Sequence, residues 1–324
     1  MAEEVKNDGT NQDTTKQEKA GPSGLRGFLD LLWITINKFF GDSCGSLAAA
    51  ISFYTFFSLP ALLTLLLDLL GRLLDPARVQ AAVIAQVGGV VGRAGADQIT
   101  TIITSSHRTG SKPSAATIIS LVVLAFGATT AFAQLQSALN KVWGVKPDPR
   151  RNQFKVFIVK RIFSFGVVVT VAFLLLISLV LSTALAAIGQ RLTGHAATSA
   201  MMLEVVTSLG SFAVSAALFA VMFRYLPDAR IGWRDVRAGA IGSAFLFVLG
   251  KAAIGIYLGH IDPGTAYGAA GSLAIVLIWV YYTSMILLLG AEFTEEWARH
   301  YGRGIVPERG AVAYVEEERS VKTG

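Results

Sequence analysis

Six stretches of this chain are each long and apolar enough to cross about 30 Å of hydrocarbon: Leu47 to Leu70, Ser114 to Leu139, Ile162 to Ile188, Leu203 to Phe223, Ala238 to Leu258 and Gly271 to Phe293. Helices buried in soluble proteins are rarely so long or so uniformly apolar. With 53% of its 324 residues hydrophobic and 15% charged, the chain has too little polar surface for a water-soluble domain. The expected fold class is therefore all-α, a polytopic bundle of six transmembrane helices. A net charge of +6 argues for nucleic acid only if the basic residues form one face, whereas here they gather in certain loops. The single cysteine, Cys44, excludes an intramolecular disulfide and a cysteine-based zinc site, so helix packing must hold the fold together.

Lys and Arg counts orient the bundle. The N-terminal segment, loops two and four and the C-terminal tail carry 21 of them, against 6 for loops one, three and five. The positive-inside rule then places both termini in the cytoplasm. Domain organisation follows: residues 1–24 form a disordered polar tail, 25–301 the transmembrane domain and 302–324 a second cytoplasmic tail. Before the first span, Phe28, Leu32, Ile36 and Phe39 share a stripe with Trp33 beside it, which suits an N-terminal interfacial helix or one packed on the bundle. Loop one, opened by Asp75-Pro76, repeats Val79, Val83, Val87, Val90, Ile99 and Ile102 at near-helical spacing and is expected to be an external helical loop.

Polar residues inside the spans are the candidates for a path. Lys251 lies beyond the midplane of the fifth span; it either snorkels to the outer headgroups or lines the bundle, with Asp68 of the first span within reach as a partner. Pro60 leaves the Phe56 carbonyl without its helical donor, so a kink is expected there; Ser52, Thr55 and Ser58 can satisfy the opened backbone, and Tyr54 lies in the same segment. Gln134, Ser137 and Lys141 form a polar face at the inner end of the second span, with Gln136 and Asn140 adjacent; these amides are read as interfacial capping groups, with the inner mouth of a path as the alternative. Glu292 closes the sixth span, with Arg224 and Arg237 as expected partners. Gly255 and Gly259 form a GxxxG pattern and Gly239 and Ser243 keep its spacing, which fits bundle packing as well as a homo-oligomer.

Nothing in the pattern reads as an enzyme. His107, His195, His260 and His300 are scattered, without a second ligand at metal spacing, and no Ser, Thr or Tyr in a span has a nearby His to act as base. No catalytic residue, metal or cofactor is expected.

Four motifs in order carry a resemblance: Ala-Ala-Ala-Ile-Ser-Phe-Tyr-Thr-Phe-Phe-Ser-Leu-Pro60; Leu135-Gln-Ser-Ala-Leu-Asn-Lys-Val-Trp-Gly144; Arg224-Tyr-Leu-Pro-Asp-Ala-Arg230 with Trp233-Arg-Asp-Val-Arg-Ala-Gly239; and Tyr267-Gly-Ala-Ala-Gly-Ser followed by Gly290-Ala-Glu-Phe. From about Leu25 to Tyr301 the chain resembles the YihY/BrkB family of bacterial inner-membrane proteins. The resemblance implies six spans, cytoplasmic termini and a bacterial plasma-membrane location. Members have carried a virulence label and also the label ribonuclease BN; the latter belongs to a zinc hydrolase rich in clustered His and Asp, which this chain lacks, so it is not transferred. Some relatives are suspected of moving lipid or lipid-linked envelope components, which makes Tyr267 a further path candidate through its motif.

Two function classes stay open. One is a transporter or translocase of lipid or envelope components, its groove lined by spans one, two, five and six, with Lys251 attracting an anionic lipid. The other is a non-transporting membrane scaffold that holds envelope or division partners through its tails and interfacial helix. A membrane-embedded hydrolase or ribonuclease is disfavoured, because no nucleophile, base and orienting group can be assembled. The expected surroundings are the lipid bilayer, with no nucleic acid partner.

Overall fold

The computed structural model describes residues 24–71, 130–148, 197–260, 269–302, 304–308 and 310–314, with residue 150 and scattered positions between 75 and 104. The described part is mostly helical. Helix α1 spans Leu25–Gly41 and α2 Cys44–Gly71, residues 130–142 form α3, and α4, α5 and α6 span Ala197–Tyr225, Trp233–His260 and Ala269–His300. Among the described residues, three helical stretches are long and apolar enough to cross a membrane: Ser208–Tyr225, Trp233–Ala253 and Ala274–His300; Cys44–Leu59 is a shorter apolar one. The third span of the sequence reading and most of the second lie outside the described residues.

Helix α1 divides into stripes. Leu31, Thr35 and Phe39 recur at i, i+4, i+8 and are buried, while Leu29, Trp33, Ile36 and Phe40 keep a second, exposed apolar stripe. The first stripe packs on α6, where Phe28 also meets Phe293 edge-on at 6.3 Å. The expected stripe is therefore split: Phe39 is buried, whereas Phe28 and Ile36 are exposed, and the buried face is offset by one residue to Leu31 and Thr35. In loop one, Asp75 Oδ1 accepts from the Ala77 N–H at 3.0 Å, the cap expected of a helix start, and the described residues 77, 80, 81, 83, 84, 100, 101 and 104 are helical.

Among the described residues, four short strands close one end of the bundle. Val145–Pro147 (β1) follows α3, Ala229–Arg230 (β2) joins α4 to α5, and Val306–Pro307 (β3) and Ala311–Ala313 (β4) follow α6. β1 pairs antiparallel with β4, placing Lys146 opposite Val312; β2 pairs antiparallel with β3. Loop two, loop four and the C-terminal segment therefore share one side of the bundle. The alternation of basic loops predicts that grouping independently of any contact.

Helices α5 and α6 approach closely because small residues face each other. A Cβ on Gly239 would fall 2.7 Å from the Gly290 carbonyl oxygen, and one on Gly250 would fall inside the Tyr282 ring. Gly239 is one half of the Gly239/Ser243 spacing read from the sequence, and Ser243 stacks on Gly290 across the same contact.

Candidate functional site

At the end closed by the strands, segments distant in sequence meet. Trp143 Nε1 donates to the Ala291 carbonyl at 3.2 Å, joining the end of α3 to the Gly290-Ala-Glu-Phe motif. Asn140 holds the α4–α5 turn twice: its Nδ2 donates to Asp228 Oδ2 and its Oδ1 accepts from the Asp228 N–H, both at 2.8 Å. Gln136 adds a contact to the other carboxylate oxygen at 3.3 Å. Each motif supplies a group that another cannot satisfy alone. Replacing Asn140 by alanine is expected to cost about 2 kcal/mol, two net hydrogen bonds in a largely buried setting. The check is thermal unfolding of the solubilised protein, with Gln134→Ala as the comparison; Gln134 is half-buried on the same helix and makes no contact with Asp228.

Beside this knot, α1 is clamped to α6. Lys38 Nζ pairs with Glu295 and, at 2.8 Å, with Glu296, while Arg299 pairs with Glu295 from one turn along. Both carboxylates are buried. Burial disfavours the Lys38 ammonium, but hydrogen bonding and charge from Glu295 and Glu296 outweigh it and hold its pKa above the ordinary lysine value. With both glutamates ionised, the contribution is present through the neutral range and is lost as pH rises through the raised value.

Glu292 lies inside the same end. It is fully buried, its Oε1 accepts from the Cys44 thiol at 3.5 Å, and its Oε2 has no partner among the described residues. The expected pairing with Arg224 or Arg237 is replaced by this one. Arg224 lies instead over the Trp233 ring, 6.0 Å from its centroid, and Arg237 is exposed.

The other candidates separate. Ser52 is buried and donates to the Leu277 carbonyl at 2.7 Å, so it joins α2 to α6. Ser58 donates to the Thr55 carbonyl at 2.8 Å, and α2 continues past Pro60 to Gly71. Tyr54 is exposed. Lys251 is exposed on α5, in helical register with Trp233 and roughly 27 Å further along the axis, about one hydrocarbon thickness. Tyr267 and the side chains of Asp68 and Pro60 lie outside the described residues.

An apolar groove of about 330 Å³ opens between α1, α5 and α6, lined by Ile36, Phe39, Phe40, Leu246, Tyr282, Met285, Ile286 and Leu289. Its one hydroxyl, on Tyr282, donates to the Leu246 carbonyl at 3.2 Å, so the wall presents no unsatisfied donor. The Tyr282 ring sits over Gly250, where a side chain would displace it. The sequence reading missed both the groove and the Lys38 clamp. Spacing signals only the local part, Glu295 to Arg299 and Glu296 to His300 at i,i+4.

The family described as Virulence factor BrkB matches residues 35–312. A UPF0761 membrane protein of Methylibium petroleiphilum is 28% identical over 82% of this chain and 61% of its own length. One of Pseudomonas aeruginosa strain LESB58 is 26% identical over 79% of the chain and 59% of its own length. One of Paraburkholderia xenovorans is 31% identical over 56% of the chain and 40% of its own length. The chain thus spans between about two fifths and three fifths of these relatives. No solved structure matches it.

Proposed function

We propose that this chain, which belongs to the Virulence factor BrkB family and is a membrane protein, moves a lipid-like component of the cell envelope across the bilayer. The observation that carries the reading is the groove between α1, α5 and α6. Its volume falls in the range of ligand pockets, and its apolar lining suits an acyl chain rather than a polar solute. Exposed Phe40, Phe245 and Leu249 extend apolar surface around it, so an acyl chain could enter from the bilayer without crossing water.

In this reading the six spans lie in a bacterial inner membrane, and the end closed by the strands, with both termini, faces the cytoplasm because its segments carry the basic excess. No covalent step is assigned to the chain, and no cofactor or nucleic acid enters. In the C-terminal segment, Val306–Pro307 and Ala311–Ala313 are already paired with the chain's own loops, while residues 315–324, on which a scaffold would draw, lie outside the described residues.

The test is lipid transfer by the purified protein in proteoliposomes containing fluorescent anionic and zwitterionic lipids. Transfer between leaflets above the protein-free rate is expected. Its absence in a preparation that keeps its helicity and elutes as a single species overturns the reading for these lipids.

A further inference from the structure

The segment from the end of α4 into the first turns of α5, Arg224 to Arg237, contains four arginines and two aspartates. The fold sorts them. Asp228 is turned inward to Asn140 and Gln136, and Asp235 is buried against Gly232 and Gly302, where added Cβ atoms would fall 2.9 and 2.6 Å from its oxygens. The basic groups turn outward: Arg230, Arg234 and Arg237 are exposed, and Arg224 lies over Trp233. Arg230 meets exposed Glu308 at 3.9 Å; Arg224, Arg234 and Arg237 have no carboxylate at ion-pair distance among the described residues. Exposed Tyr225 meets the exposed Trp233 ring edge-on at 6.1 Å.

The outward face of α5 fixes the depth of this cluster. Trp233, Arg234 and Arg237 give way within about one turn to Ile241, then to Phe245, Val248 and Leu249, all exposed. A face that changes from arginine and tryptophan to aliphatic and phenyl groups passes from the headgroup layer into hydrocarbon.

We propose that Arg224, Arg234 and Arg237, with Trp233 and Tyr225, form a binding site for the phosphate-bearing headgroup of an anionic phospholipid in the leaflet at this end. Guanidinium groups hold a phosphate through paired N–H donors. Both aspartates of the turn face inward and the exposed Glu308 is held by Arg230 at 3.9 Å, so among the described residues no unpaired carboxylate of the turn meets the ammonium of a zwitterionic headgroup, and the site selects for net negative lipid. The bound lipid is a resident of the site rather than cargo, and the inference holds whether or not the groove transports anything.

The experiment places the full chain in nanodiscs of mixed phosphatidylglycerol and phosphatidylcholine and reads by native mass spectrometry which lipids stay bound. The unmodified chain is expected to retain phosphatidylglycerol selectively. Arg234→Gln with Arg237→Gln is expected to lower that preference by about fivefold for each arginine removed. Both side chains are exposed, so the variant should fold; either single replacement serves if the pair does not. Three results would overturn the inference: an unchanged preference in the folded variant, an equal loss in Arg26→Gln (an exposed arginine of α1), or displacement of the lipid by inorganic phosphate alone.

Discussion

Valine at Gly239 is expected to abolish the folded state, and alanine there to destabilise it by about 2 kcal/mol. Even the first carbon of a side chain would meet the Gly290 carbonyl oxygen at 2.7 Å as well as the Thr294 side chain. Thr294 Oγ1 could turn away, although it would give up its 2.6 Å bond to the Gly290 carbonyl. The backbone oxygen cannot yield unless α5 and α6 separate. Separation would open the contact that buries Ala240, Ala244, Leu287, Leu288 and Ala291. Gly242, one turn along the same helix, has nothing within 4 Å of its would-be Cβ. Gly242→Ala is therefore expected to be neutral or to stabilise by about 0.5 kcal/mol, through reduced backbone freedom. Thermal melts followed by size-exclusion chromatography would show the contrast, and similar melts for Gly239→Val and Gly242→Ala would contradict it.

Lys38→Met is expected to cost about 3 kcal/mol and to release α1 from α6. The lysine is 30% exposed, but its partners Glu295 and Glu296 are 1% and 6% exposed at the side chain, so its removal strands buried negative charge. Arg299 stays on Glu295, which keeps the loss at the lower end of the range for a broken buried pair. Adding Glu296→Gln to Lys38→Met should recover part of the stability, because the substitution removes one of the unpaired charges. Hydrogen exchange over residues 25–41 measures release directly. Unchanged protection of that segment in Lys38→Met would show that the apolar stripe of Leu31 and Phe39 docks α1 unaided.

What the sequence made legible followed from periodicity and loop charge. The helical character of α1, the helix start at Asp75 and the side shared by loops two and four with the C-terminal segment all express local patterns, whereas the buried stripe of α1 is offset from the expected one to Leu31, Thr35 and Phe39. The Gly239/Ser243 spacing correctly marked α5 as a close-packing helix, although the sequence could not name Gly290 and Thr294 as what it packs on. Long-range polar contacts were the illegible part. Asn140 read as an interfacial amide, and only the folded chain brings it to Asp228. Glu292 sits on a face of α6 that meets Cys44, so its expected arginine partners point elsewhere. Lys38 carries no signal in the sequence, since no spacing rule links it to carboxylates more than 250 residues away. Lys251 attracted attention by its depth in a span, a one-dimensional quantity that says nothing of direction around the helix. On α5 it shares the exposed face of Trp233, which suits the snorkelling alternative.

The central claim, that a lipid-like substrate crosses through the groove, is most directly tested by filling the groove without altering the bundle. Leu246 lines it, and Phe245, the preceding residue on α5, is 57% exposed on the outer face. Leu246→Trp and Phe245→Trp therefore place the same bulky ring on the same helix, one inside the groove and one outside. The measurement is the rate of fluorescent lipid transfer in proteoliposomes for the two variants and the unmodified chain. The account predicts at least a tenfold loss for Leu246→Trp and a near-normal rate for Phe245→Trp; equal transfer by both folded variants would contradict it.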